Sequence, residues 1–138
     1  MRKIKKEAAS RFSIEGYEHL KGALAKGRGV ILVISHLGVW EYLGFLFYLT
    51  QIKVPVIVKE KKNAYFDKEI DRLRRETGAI PIAKRHSVKA ILSGLKQNQV
   101  VAILIDQWAG EEGMWVDFFG SPTSTTSIPA RLAKKTGC

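Results

Sequence analysis

Short runs of apolar, mostly β-branched residues recur along the chain and alternate with longer segments of helical periodicity. Four of these runs predict buried strands, over residues 29–35, 54–58, 79–83 and 100–105. Helices are predicted over residues 40–50 and 64–77, after Ser87 with Val88, Ile91, Leu92 and Leu95 on the inner face, and over residues 127–137. An alternation of strand and helix implies right-handed crossovers, and therefore an α/β fold with a mainly parallel sheet covered by helices.

Polar residues and glycines mark the predicted helix ends. Asn63, Ser87 and Ser127 are each expected to cap a helix, and Pro129 fits the first turn of the last helix. That helix ends at Gly137, where the alternation would call for another strand. We therefore divide the chain into a basic arm over residues 1–10 and a core over residues 11–138, and we expect the core to be truncated at its carboxyl terminus.

The most apolar segment, residues 39–49, contains Glu41 and is about half the length that a membrane-spanning helix needs. The chain is therefore not expected to cross a membrane, although it could still lie on one. The formal net charge is +10, and it is concentrated in residues 1–28 and 53–89. Such a charge favours lipid headgroups, phosphates, nucleic acid or an acidic carrier protein as partners, without choosing among them.

Candidate chemistry begins with His36 and Glu41, which follow the first predicted strand. Two residues five positions apart on one α-helix do not face each other, so His36 must lie in the turn before the helix and Glu41 in its first turn. Glu41 then accepts a proton from one ring nitrogen of His36, which leaves the other nitrogen to act as a base. A structural histidine at a helix start fits the same spacing. No cysteine and histidine cluster has the spacing of a zinc site, and no cofactor is predicted.

The segment from Gly27 to Glu41 resembles the signature of the lysophospholipid acyltransferase superfamily, a histidine followed by four residues and an acid. It is most similar to the bacterial lipid A late acyltransferases, the lauroyl and myristoyl transferases. Three further segments occur in that family's order: residues 61–67, 105–107 and 116–133. The resemblance implies a fold like that of glycerol-3-phosphate acyltransferase.

The resemblance also implies a reaction. A fatty acyl group passes from acyl-carrier protein, or acyl-CoA, to a hydroxyl of a lipid A precursor or similar phosphorylated glycolipid, with His36 as general base and Glu41 as its orienting partner. Removal of the hydroxyl proton makes the oxygen a better nucleophile, so we expect direct transfer without an acyl-enzyme. The family works at the cytoplasmic face of the bacterial inner membrane, where this chain is expected to be peripheral.

Several further residues are expected to bind the substrates by the same resemblance. Positive residues after the second strand and on the next helix are expected to engage the acceptor phosphate, while Asp106 and Gln107 line the cleft. The N–H of Gly120 and the hydroxyls from Thr123 onwards are candidate donors to the thioester oxygen. The complete predicted substrate set is Lys59, Lys61, Asn63, Arg75, Asp106, Gln107, Gly120 and Thr123.

Purely structural roles for these residues, and other functions for the chain, stay open. A solvated helix face explains any one of the basic residues, a polar strand end explains Asp106, and a capping loop explains residues 118–126. The chain as a whole fits two alternatives: a non-enzymatic basic module that binds membrane or nucleic acid, or an inactive acyltransferase fragment. A mannosylated phosphoinositide is the alternative acceptor. We predict no specific nucleic-acid partner, because the aromatics cluster with glycines and acids and do not interleave with the basic residues.

Overall fold

A parallel sheet forms the centre of the computed structural model, which describes residues 7, 10–39, 42–58, 63–83 and 87–138. Its four strands lie within the four predicted apolar runs: β1 (Val30–Ile34), β2 (Val54–Val58), β3 (Ala79–Ala83) and β4 (Val100–Leu104). Their order in the sheet is β1-β4-β2-β3, and every pairing is parallel. The α/β prediction is therefore confirmed, and the carboxyl ends of all four strands share one edge.

The described helices cover both faces of this sheet. They are α1 (Tyr17–Ala25), α2 (Leu43–Thr50), α3 (Ala64–Glu76), α4 (Ser87–Lys96) and α5 (Ile128–Thr136). Phe47 of α2 packs on one face with Val100, and Leu95 of α4 packs on the other face with Val101 and Leu132 of α5. Because neighbouring residues of β4 point to opposite faces, this strand is buried on both sides, as its continuous apolar sequence indicates.

The helix caps follow the sequence only in part. Asn63 caps α3 as predicted, because its side-chain oxygen accepts hydrogen bonds from the N–H groups of Tyr65 and Phe66, each at 3.1 Å. Ser127 stands at the N-cap position of α5 as predicted, but its backbone is already helical, with φ −83° and ψ −2°, and its side chain makes no capping hydrogen bond. Ser87 was predicted to precede α4 as its cap, but it is the first residue of the helix itself.

An antiparallel hairpin follows β4, and its turn and second strand lie where a loop was expected over residues 118–126. Its strands are β5 (Met114–Phe118) and β6 (Ser121–Thr125). Phe119 and Gly120 form the connection, with φ of 54° and 78°. Positive φ at both central residues is the signature of a type I′ turn. The base of the hairpin is fixed to the carboxyl edge of the sheet, because the hydroxyl of Thr125 donates to the carbonyl of Ile105 at 2.8 Å.

A close approach at the other end of the sheet sets the register of β1 beside β4. Gly29 has φ 74°, and a Cβ atom there would lie 2.6 Å from the carbonyl oxygen of Leu95. Its N–H donates to the side chain of Asn98 at 2.9 Å, and Asn98 in turn donates to the carbonyl of Leu24 at 3.0 Å. From this end, the pairing of β1 with β4 continues to the carboxyl edge of the sheet. Among the described helices, none is long and apolar enough to cross a membrane.

Candidate active site

His36 and Asp106 meet at the carboxyl edge of the sheet. Each lies two residues beyond the end of its strand, β1 for His36 and β4 for Asp106. The two strands are neighbours, with Ile34 opposite Leu104, and pairing extends one step further through a 3.2 Å bond from the N–H of Ile105 to the carbonyl of Ile34. Residues that stand 70 positions apart in the sequence are brought together in this way.

The carboxylate of Asp106 binds His36 at two points. One oxygen lies 2.8 Å from the ring Nδ1, and the other accepts the backbone N–H of His36 at 2.6 Å. The hydrogen bond with the His36 side chain is the largest cause of a lowered pKa at Asp106, and the bond with the His36 backbone is the next. Asp106 is therefore ionised at neutral pH and can only accept, so the proton lies on Nδ1 and a neutral ring has its lone pair on Nε2.

Both side chains of the pair are accessible at the edge. The side chain of His36 is 29% exposed and that of Asp106 is 36% exposed, so a substrate group can approach without unfolding the core. The carboxyl end of strands in an α/β sheet is also where ligands of such folds usually bind. The geometry suits proton transfer to and from a bound hydroxyl.

An apolar groove runs along β1, from Lys26 and Arg28 at the amino edge of the sheet to Ile105 and Met114 at the base of the hairpin. Its volume is about 600 Å³, within the range typical of small-molecule sites. Its walls include Ile31, Val33, Ile105, Met114 and Ala130. Ile105, which directly precedes Asp106, lines the end of the groove at the carboxyl edge, whereas His36 and Asp106 are not among its lining residues.

The remaining predicted substrate residues are dispersed. Asn63 is occupied as the cap of α3, and Gln107 is exposed directly after Asp106. Thr123 lies half-buried in β6. The N–H of Gly120, a predicted oxyanion donor, donates to the side chain of Asp117 at 3.1 Å within the hairpin. Two neighbouring hydroxyls also serve the fold, since Ser124 donates to the carbonyl of Gly110 at 2.5 Å and Thr125 holds the hairpin base.

The basic residues predicted to bind phosphate divide into two groups. Lys59 and Lys61, like Glu41, lie outside the described residues. Arg75 is exposed in the last turn of α3, and this turn leads to the amino edge of the sheet, so the structure does not bring it to His36. Its neighbour Arg72 hydrogen-bonds to Glu69 and Glu76, and the Arg72 bond is the largest cause of a lowered pKa at Glu69.

Comparison with known proteins places the chain in a family. A model described as the bacterial lipid A biosynthesis acyltransferase family matches residues 1–138. The chain belongs to this family. The family resemblance predicted from the motifs around His36 is thus confirmed, and the parallel sheet with a site at its carboxyl edge is consistent with it. Within the described residues, no group of three or more histidine, cysteine, aspartate or glutamate side chains is arranged to hold a metal ion.

Curated relatives within this family differ in the acceptor that their names give. The chain is 32% identical over 129 residues to a phosphatidylinositol mannoside acyltransferase of Mycobacterium tuberculosis, a match to 90% of this chain and 40% of the relative. The counterpart of Mycolicibacterium smegmatis is 26% identical, over 87% of this chain and 41% of the relative. A lipid A biosynthesis acyltransferase of Haemophilus influenzae is 24% identical, over 94% and 41%. The chain thus spans about two fifths of these relatives.

Sequence reasoning missed the role of Asp106 as the partner of His36. The motif directed attention to Glu41, five residues away, and Asp106 was considered only as a cleft residue or a strand cap. The position of both residues just beyond apolar strands was the available signal. What the sequence lacked was the order of the strands, because only a sheet with β4 beside β1 brings the two together.

Proposed function

We propose that the chain carries the active site of an O-acyltransferase, which moves a fatty acyl group from a thioester to a hydroxyl of a phosphorylated glycolipid. The observation that carries this proposal is the hydrogen-bonded pair of His36 and Asp106 at the carboxyl edge of the sheet. Membership of the lipid A biosynthesis acyltransferase family supports it, because that family's name states the same class of reaction.

The proposed step begins with proton transfer. Nε2 of His36 takes the proton of the acceptor hydroxyl while its oxygen attacks the thioester carbonyl. The tetrahedral intermediate then collapses, the carbon–sulfur bond breaks, and the departing thiolate takes the proton back from the imidazolium. The Asp106 carboxylate holds the ring in the reactive tautomer and stabilises its positive form. A positioned general base of this kind contributes roughly 10²- to 10⁴-fold in rate.

Two carboxylates are candidates for orienting His36. The family motif assigns this role to Glu41, whereas the described contacts give Asp106 both Nδ1 and the backbone N–H of His36. We propose that Asp106 fixes the ring and that Glu41 contributes a second carboxylate to the same site. A comparison of Glu41→Gln with Asp106→Asn measures the two contributions separately.

The proposed substrates follow from chemistry and family. The apolar groove beside Ile105 suits a fatty acyl chain, and acyl-carrier protein, being acidic, suits a chain with a net charge of +10. A lipid A precursor is the first acceptor candidate, with its phosphate met by basic residues such as Lys59 and Lys61. Identity to the mycobacterial relatives makes a phosphatidylinositol mannoside the second. Both acceptors would be met at the cytoplasmic face of the inner membrane.

A transfer assay tests the proposal. The protein is incubated with labelled acyl-carrier protein and each acceptor in turn, alongside His36→Ala and the control His19→Ala. His19 is exposed on α1 and lies 3.8 Å from Glu18. We expect product from the parent and the control and a loss of at least about 10²-fold in His36→Ala. Equal product from His36→Ala and the parent would contradict the mechanism.

The same assay separates the alternatives. Product from a longer chain that contains this site, with none from the 138 residues alone, would identify these residues as an inactive fragment of an active enzyme. Salt-sensitive binding to DNA in the absence of any acyl transfer or lipid affinity would favour the basic binding module.

A further inference from the structure

Large apolar side chains are exposed mainly at one end of the molecule. They occur in the segments that follow the carboxyl ends of the strands, in the first turn of α3 and on the hairpin. This apolar edge comprises Leu37, Val39, Tyr42, Tyr65, Phe66, Trp108, Met114, Trp115, Phe118 and Phe119. The described loops at the amino edge, residues 26–29, 51–53 and 97–99, instead expose lysine, arginine, glutamine and asparagine side chains.

The hairpin tip is the part of the apolar edge whose exposure and backbone conformation are least favourable. Phe119 is 93% exposed and stands at a φ of 54°, a conformation that asparagine or glycine adopts far more readily than a bulky residue. Its ring packs edge-on against that of Phe118, with centroids 4.6 Å apart, and Phe118 is itself exposed. Among the described residues, nothing covers the two phenyl rings of this strained turn, so an apolar partner outside them accounts for the turn better.

Two tryptophans continue the apolar edge towards the sheet. Trp108 and Trp115 pack in a T-shaped pair with ring centroids 5.3 Å apart, and about half of each residue is exposed. Tryptophan combines a large apolar ring with an N–H donor, and it is enriched where membranes meet water. The phenyl rings lie at the tip and the indole rings lie nearer the sheet. This order suits a bilayer, with the phenyl rings deeper and the indole rings at the boundary with water.

Charge favours the same partner. The chain has a net charge of +10, and its sequence supplies five basic residues and one acid in the two segments, 59–62 and 84–86, that join β2 to α3 and β3 to α4. Basic residues beside an apolar insertion are attracted to anionic lipid headgroups. A protein partner would have to match both an apolar tip and this excess of positive charge.

We propose that the apolar edge docks on an anionic lipid bilayer and that the hairpin tip, Phe118 and Phe119, enters its interface. Five residues in each strand make the hairpin roughly 17 Å long, which is enough for the tip to pass the headgroups while its base stays at the sheet. His36 lies on the same edge and therefore faces the bilayer. The inference concerns binding alone, so it can fail while the proposed acyl transfer stands.

Vesicle flotation with purified protein tests the docking. The vesicles contain phosphatidylcholine alone or with about a third phosphatidylglycerol, a proportion that gives the surface a clear negative potential. The test variant is Phe118→Ser with Phe119→Asn, because asparagine tolerates the turn. The matched controls are Phe119→Trp, which keeps an aromatic tip, Gln97→Ser at the amino edge, and His36→Ala.

We expect the parent and all three controls to float with anionic vesicles. The double variant should bind at least about tenfold more weakly, because burial of one phenyl group alone changes partition by about that factor. The indole added by Phe119→Trp should contribute emission, beyond that of the parent, that shifts to the blue on binding and is quenched by brominated lipid. Circular dichroism of the double variant should match that of the parent.

Three results would overturn the proposal. One is equal flotation of the double variant and the parent, and another is a parent that binds neither kind of vesicle. The third is self-association of the parent through the apolar edge. It would be seen as a dimer in the parent and a monomer in the double variant, with no difference between the two in lipid binding. Loss of acyl transfer in His36→Ala with unchanged flotation would leave the docking intact.

Discussion

Replacing Asp106 with asparagine isolates the orienting carboxylate with almost no change in shape. An amide has one acceptor oxygen where the carboxylate has two, and two N–H donors of His36 now meet it. Either the backbone bond or the ring bond must therefore change. If the amide N–H turns to Nδ1, the ring adopts the other tautomer, and its proton sits on Nε2, where the base is needed.

The size of the expected loss follows from exposure. The corresponding change at the buried aspartate of a serine protease triad lowers kcat about 10⁴-fold, chiefly through the wrong tautomer. Asp106 is 36% exposed, so water replaces part of its interaction with the ring. We therefore expect a loss of about 10- to 10²-fold in kcat, with little change in KM, and always less than the loss in His36→Ala.

Two measurements check this prediction. Acyl transfer is compared among the parent, Asp106→Asn, His36→Ala and the control Asp117→Asn, whose amide oxygen can still accept the Gly120 N–H. Nitrogen NMR of the imidazole reports which nitrogen carries the proton, and Asp106→Asn should move that proton or mix the tautomers. Parent-like kcat together with a parent-like tautomer in Asp106→Asn would refute the reasoning.

Three further predictions concern stability. Asn63→Ala should lower the free energy of unfolding by about 1 kcal/mol in urea titrations, because two N–H groups of α3 lose their acceptor, and Asn63→Asp should retain most of it. Gly29→Ala should cost more than about 1 kcal/mol, since its Cβ would meet the Leu95 carbonyl, whereas Gly22→Ala, with open space around it, should not destabilise α1. The pKa of Asp106 is lowered, so its contribution to stability is present above the ordinary aspartate pKa and is lost as pH falls through the folded value. The difference in urea midpoint between the parent and Asp106→Asn should therefore shrink as pH falls below about 4.

The regular elements of this fold could be predicted because local sequence determines them. Each strand of the parallel sheet is a continuous apolar run, and Asn63 stands where a cap needs its oxygen. The hairpin was missed for an equally local reason. A two-residue type I′ turn is signalled by asparagine or aspartate before glycine, and Phe119 occupies that place. Because phenylalanine is unusual at this turn position, the sequence lacks the signal by which the turn would be recognised.

The site could not be predicted in full, because its geometry depends on strand order. Alternation of strand and helix fixes neither which strands are neighbours nor, therefore, which strand ends meet. With β4 inserted beside β1, Asp106 reaches His36, and the 2.6 Å bond to the His36 backbone ties the loop after β1 to the end of β4. The Gly29 and Asn98 contacts hold the same two strands at their other end. The distance from Asp106 to His36 is thus set by the β1–β4 register, and a change that weakens this pairing should impair acyl transfer before it unfolds the sheet.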